Sequence, residues 1–300
     1  MTEPTETLLE SLHAFLAKSL GESMRRRTLT RVVVGLSFTA VELDNGASGL
    51  CATMLRSPGP LPGCGTGPGA SATEGRSRTG PEPGQFAGLP VTRLFEGGIL
   101  RPSGVPGIHR VVAIATLNAL VDMLPQNGHP PGLQSPAENR DAFDLLDLKP
   151  RDSVVMVGGF NGYIDRLQAR GQPFWILELD PEVIRPDARS LYVPASRAEK
   201  VMHQASVAII TGTTLINDSL DGLLAFARPD LRIAVVGPTT PLVPHIFARR
   251  GVSVLGGVRV RAVDPLMTVL TEGGGTRFFF DSLVDRVGFR TTPHFELAGA

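Results

Sequence analysis

Cysteine is nearly absent from these 300 residues: Cys51 and Cys64 are the only two. Two thiols cannot build a disulfide framework, which points to a reducing, cytoplasmic setting. Charge of one sign is not in excess. With 29 basic and 29 acidic side chains the formal net charge is zero, which removes the electrostatic argument for general nucleic-acid binding. Arg25, Arg26, Arg27 and Arg31 do cluster, and read as a solvated helix end. No apolar run approaches the roughly 20 residues a membrane span requires. The start, MTEPTETLLESL, is acidic and then amphipathic, unlike a secretory signal or an Arg-rich transit peptide. Catalytic and metal signatures are also missing: no G-x-S-x-G, C-x-x-C, H-x-H or H-E-x-x-H occurs. The six histidines, at 13, 109, 129, 203, 245 and 294, are scattered, so their spacing gives no support to a metal site.

What is present is a change of grammar partway along the chain. Glu6–Leu20 spaces its leucines and Phe15 at i, i+3, i+4 and predicts an amphipathic helix. Arg31–Leu43 and Ser48–Leu55 read as two strands joined at Asp44-Asn45-Gly46, a hairpin. About half of Pro58–Gly84 is Gly or Pro, so Ser57–Gly88, which holds Cys64, reads as a flexible insertion. Leu89–Leu94 and Ile108–Leu124 read as helices, the second apolar on most sides and therefore buried between layers. Asn118 within it is either a satisfied structural group or a ligand contact at a domain interface. Pro125–Arg140 is polar and Pro-rich, which sets the expected division: a first domain over 1–124, a linker over 125–142 and a second domain over 143–300.

From Asp152 onward, short apolar strands alternate with helical segments. Strands are expected at Ser153–Val157, Phe174–Leu179, Ser206–Ile210, Arg232–Val236 and Val252–Leu255. The fold class is therefore α/β: a Rossmann-like, doubly wound, mostly parallel sheet preceded by a smaller α+β domain.

Candidate ligand contacts lie at the expected carboxyl ends of these strands. The first ends in Gly158-Gly159-Phe160-Asn161-Gly162, and Glu178 and Asp180 follow at the end of the next. In dinucleotide folds an acid there holds the ribose hydroxyls, although the full G-x-G-x-x-G pattern is missing. A nucleoside- or pterin-like ligand, or a tight turn alone, are the readings left open. In Thr211-Gly212-Thr213-Thr214, Thr213 or Thr214 would cap a helix starting near Leu215, with Asn217 and Asp218 in its first turn. In Gly237-Pro238-Thr239-Thr240-Pro241, one threonine would cap a helix whose first position is Pro241. Both turns suit a polar or anionic ligand. His245 could be a base, a ligand or an ordinary half-buried histidine.

At VGGF (Val157–Phe160), ITGTTLINDSLD (Ile210–Asp221), GPTTPLVPHIF (Gly237–Phe247) and LGGVRV (Leu255–Val260) the chain resembles the heavy-metal-chelation domain family. Its members are Rossmann-like domains of unestablished activity that commonly follow a small domain similar to the enolase N-terminal fold. Val34–Thr53 and Ile114–Leu120 resemble that partner domain. The resemblance implies a ligand site between the two domains, for a pterin-, flavin- or siderophore-like molecule. The functional expectation is a cytoplasmic protein that binds a small polar, anionic or metal-chelating molecule in the interdomain cleft, with condensation or hydrolysis as the chemistry. The alternatives are a non-catalytic metallochaperone or sensor of a metal chelate, and a methyltransferase-like enzyme using S-adenosylmethionine. No cofactor is identified, and oligomeric state is left open.

Overall fold

The computed structural model describes residues 6–54, 84–101, 107–124, 137–138 and 140–291. The body of the Gly/Pro insertion with Cys64, and most of the expected linker, lie outside them.

The first helix spans Leu8–Leu20 and buries Leu8, Leu9, Leu12 and Leu16. Thr7 and Glu10 close its N-terminus reciprocally: the Glu10 amide donates to the Thr7 hydroxyl and the Thr7 amide to the Glu10 carboxylate. Each fully buried leucine contributes about 1.5–3 kcal/mol, more than the cap.

Three antiparallel strands follow, β1 (Leu29–Val34), β2 (Phe38–Leu43) and β3 (Ser48–Ala52). The Asp44-Asn45-Gly46 hairpin forms as expected, with Gly46 at φ 83°. Arg31–Leu43 is not one strand, however. The chain turns at Gly35–Ser37, and Gly35 lies so close to the helix Val263–Thr271 that an added Cβ would sit 2.5 Å from the Leu270 carbonyl oxygen. That close approach comes from a partner more than 200 residues away, which local pattern does not report. The other side of the sheet packs on the long helix Ile108–Asp122, whose residues from Arg110 to Leu117 are all buried.

The second sheet has eight strands: β4 (Ala137–Glu138), β5 (Val154–Val157), β6 (Phe174–Glu178), β7 (Tyr192–Pro194), β8 (Val207–Thr211), β9 (Arg232–Val236), β10 (Val252–Val260) and β11 (Val284–Arg290). Their order is β4-β11-β10-β9-β8-β5-β6-β7. Neighbours from β10 to β7 are parallel, whereas β11 and β4 are antiparallel additions. The expected strands are present to within a residue or two at most ends. The exception is β10, which continues five residues past Leu255 because β11 pairs with it from Val254 to Val260. β7 and β11 carried too little apolar pattern to be read from sequence.

Successive residues of β5 and β8 face opposite sides, as pleating requires. Val154, Met156, Val207 and Ile209 enter one core. Val155, Val157, Ala208 and Ile210 enter another, which runs unbroken into Leu8, Leu12, Val112 and Leu117 of the first domain. The helix Val263–Thr271 closes the far face of the three-stranded sheet, with Leu266, Met267 and Leu270 against Ala40 and Leu50. The smaller layer is thus held on both sides by elements from different parts of the chain. No helix among the described residues is long and apolar enough to cross a membrane.

Candidate functional site at the carboxyl edge of the large sheet

Three strand ends converge as the doubly wound topology dictates. The turn after β5, Thr211–Thr213 after β8 and Gly237–Thr239 after β9 line one cavity of about 530 Å³. Phe38 and Ala52 of the three-stranded sheet close it from the other side. A second cavity, of about 480 Å³, adjoins it and is lined by Met54, Gly158, Glu178, Thr214 and Asn217, among others. Gly159, Phe160, Thr211 and Thr213 belong to both walls. Thr240 and Pro241 lie on neither, and Asp180 is spent capping the Glu182 amide at 2.9 Å.

The two hydroxyl-rich turns differ from expectation in their local structure. Thr211, not Thr213 or Thr214, is the cap: its hydroxyl accepts from the Thr213 amide at 3.3 Å and opens a single 3-10 turn over Gly212–Leu215. No helix continues from there. The Asn217 side chain accepts from the amide and hydroxyl of Ser219, at 3.2 and 2.7 Å, a local bond that competes with helix. Asp218 is left-handed, at φ 61°, and the helix starts only at Leu220. In the second turn Pro241 precedes the helix, which begins at Pro244 behind a Val243 held outside the helical region. Thr239 does not cap it; its hydroxyl accepts from the Ala52 amide at 2.9 Å and ties the turn to β3. The amides of Gly237 and Thr240 are likewise committed, to the carbonyls of Gly256 and Gly237.

Asn118 lies on the wall of neither large cavity. Its amide donates to the carbonyls of Leu50 (2.6 Å) and Thr239 (3.2 Å), and so clasps β3 to the turn after β9. Asn118→Ala is therefore expected to cost about 1–3 kcal/mol, because two carbonyls lose their donor in a half-buried seam. Equilibrium denaturation measures it, and a neutral result would show that the seam is held by packing alone. Asp218 is turned into the protein, where it pairs with Arg110. The Arg110 guanidinium also donates to the carbonyls of Ile99 (3.0 Å), Arg101 (2.8 Å) and Leu215 (3.0 Å). Burial pulls the Arg110 pKa below its ordinary value, and Asp218 opposes that pull.

The larger cavity carries charge that the sequence reading did not pick out. Arg140 is exposed on its wall and makes no hydrogen bond or ion pair to any described residue. Asp141 accepts from the Tyr163 hydroxyl and, at 2.9 Å, from Arg286. Arg286 also reaches Asp281 and stacks over the Phe280 ring at 4.9 Å. Burial, reinforced by Asp141, raises the Tyr163 pKa, so the phenol stays protonated at neutral pH. Arg140 and Asp141 fell within the stretch read as linker, and Arg286 within an unread strand. Arg110 did leave a signal, as the one charge inside IHRVVAIATLNAL. Cys51 is fully buried, which pushes its thiol pKa far up. His245 packs its ring on Phe15 at 4.3 Å, away from both cavities. Among the described residues, no group of three or more His, Cys, Asp or Glu converges to hold a metal ion.

Fold and cavity together define an α/β protein with a Rossmann-like sheet whose carboxyl edge is closed by a small antiparallel layer. Two family models of one description, "Putative heavy-metal chelation", match residues 17–121 and 141–287, and the chain belongs to this family. It is similar to an uncharacterized protein of Methanocaldococcus jannaschii, 22% identical over 178 residues; the match spans 57% of this chain and 62% of that protein. Two crystal structures of proteins of unknown function share the fold. One, from Pyrococcus horikoshii, is 14% identical, with a TM-score of 0.64 over 95% of this chain and 100% of its own. The other, from Desulfitobacterium hafniense, is 17% identical, with a TM-score of 0.65 over 95% of this chain and 99% of its own.

Proposed function

We propose that the chain binds a small anionic, metal-chelating organic molecule in the larger cavity, between the three-stranded layer and the large sheet. The observation that carries this reading is the convergence of three strand-end turns with Phe38 and Ala52 on one cavity of about 530 Å³. That volume lies within the usual range for small-molecule sites. Arg140 supplies an uncommitted guanidinium, suited to a carboxylate or phosphate. Phe38, Phe160 and Phe280 supply rings on which a planar chelator can rest. On this reading the metal's donor atoms come from the small molecule, and the protein recognises the anionic chelate as a whole. The division into a first domain over 1–124 and a second over 143–300 belongs to the same proposal, because the cavity lies between them.

Mass spectrometry and metal analysis of the purified chain test the reading, together with thermal shifts in ferric citrate, riboflavin phosphate and a pterin carboxylate. A bound chelate at 100 times its dissociation constant stabilises by about 2.7 kcal/mol, a readable shift. Arg140→Ala is expected to weaken at least one of these ligands about tenfold, the scale of a charge-assisted hydrogen bond, without lowering the unliganded midpoint. No response to any of them, with no co-purified molecule, would defeat the proposal.

A further inference from the structure

The smaller cavity has a chemistry of its own. It lies at the carboxyl ends of β5, β6 and β8, where the strand order reverses direction on either side of β5. In open α/β sheets that switch point is where ligands are held. Its floor is bare backbone: Gly158 has φ 98°, and an added Cβ would meet the Thr211 side chain at 3.0 Å. Glu178, the last residue of β6, lines the cavity and is half-buried. One of its carboxylate oxygens accepts from the Leu179 amide at 2.7 Å, and the other makes no hydrogen bond to any described residue. An ionised carboxylate is an acceptor only, so what it lacks is a pair of donors. Beside it the wall turns apolar. Leu179 is 49% exposed, and Ala198 and Phe226 complete the slot.

We propose that this second cavity binds a nucleoside, with the ribose 2′,3′-diol on Glu178 and the base among Leu179, Ala198 and Phe226. A diol supplies two hydroxyl donors to one carboxylate, and a purine supplies the flat apolar faces that the slot lacks. This goes beyond the reading of the larger cavity and does not depend on it. Because Gly159, Phe160, Thr211 and Thr213 are shared, a bound nucleoside lies next to whatever the larger cavity holds. The chain then becomes a two-ligand protein rather than a carrier of one chelate.

Calorimetric titration of the full chain with adenosine, 2′-deoxyadenosine and S-adenosylhomocysteine tests this. Adenosine is expected to bind saturably, and 2′-deoxyadenosine roughly tenfold or more weakly, the scale of one hydrogen bond to a charged group. Glu178→Gln should weaken adenosine by a similar factor and change 2′-deoxyadenosine little, at an unaltered melting temperature. Tighter binding of S-adenosylhomocysteine would specify a nucleoside extended at its 5′ end; equal binding would specify the bare nucleoside. Three null titrations at millimolar concentration would overturn the inference, as would ribo- and deoxyribonucleosides that cannot be told apart. Ferric citrate, riboflavin phosphate and the pterin carboxylate should respond to Glu178→Gln as to the unaltered chain. Failure of the nucleosides alone therefore leaves the larger cavity's reading untouched.

Discussion

Arg110→Ala is expected to lower the melting temperature by about 6–20 °C. The Arg110 side chain is almost wholly buried, yet it holds three backbone carbonyls and the Asp218 carboxylate. Removing one partner of a buried ion pair costs about 3–5 kcal/mol, chiefly because the other charge is left uncompensated in low dielectric. For a chain of this size each kcal/mol moves the midpoint by roughly 2–4 °C. Asp218→Asn alone should cost less, since the neutral amide can still accept from the guanidinium. The double replacement Arg110→Met with Asp218→Asn should recover part of the loss, and that recovery separates the stranded charge from lost packing. If the single and double variants melt together, burial rather than charge is the cause. The pair also joins the helix Ile108–Asp122 to the loop that lines the smaller cavity. Arg110→Ala should therefore speed amide exchange at residues 211–219 before it affects β5 or β9.

The second large effect is expected at Gly49. There β3 crosses the helix Ile108–Asp122 with no side chain between them. An added Cβ would sit 2.2 Å from the Ala115 carbonyl oxygen and 2.3 Å from the Ala119 nitrogen. Both are backbone atoms of a helix wedged against the main core, so neither can rotate aside. Gly49→Ala is expected to cost at least about 4 kcal/mol, in the range reserved for gross overpacking, and to appear as loss of soluble protein or a collapsed denaturation midpoint. Gly222→Ala is the contrast. It lies in the helix Leu220–Ala225 with nothing within 4 Å of the new methyl. There the gain in helix propensity should stabilise by about 0.5–1 kcal/mol. Equal effects at the two glycines would mean that the seam can open.

Much of the architecture was legible because it rests on local pattern. Buried parallel strands appear as short apolar runs, so β5, β6, β8, β9 and the start of β10 could be placed from sequence. Asp44-Asn45-Gly46 announced its hairpin because a tight turn with positive φ at the glycine is a local demand. The turns that meet at the cavity were legible for a similar reason. Glycine and threonine at strand ends follow from the geometry of leaving a sheet, and the strand order then brings the ends together.

What each side chain does at that edge was decided elsewhere. Asn118, which the sequence left open between a structural group and a ligand contact, bonds to β3 across the seam, and so does the Thr239 hydroxyl although Thr239 also lines the larger cavity; both partners are far away in the chain. Asp218 turned inward because Arg110 offers it a buried cation, and that pairing spans 108 residues. Arg286, in an unrecognised strand, reached the cavity because β11 is laid beside β10, and Arg140, in the stretch read as linker, follows β4, which pairs with β11. The sequence by itself determined which segments become strands and helices, and that their ends would offer polar turns, since those choices depend on neighbours a few residues away. Only the tertiary structure decided which polar groups are spent on holding the two layers together and which remain for a ligand. A hydrogen bond is awarded to whichever partner lies within about 3 Å, and sequence distance does not measure that.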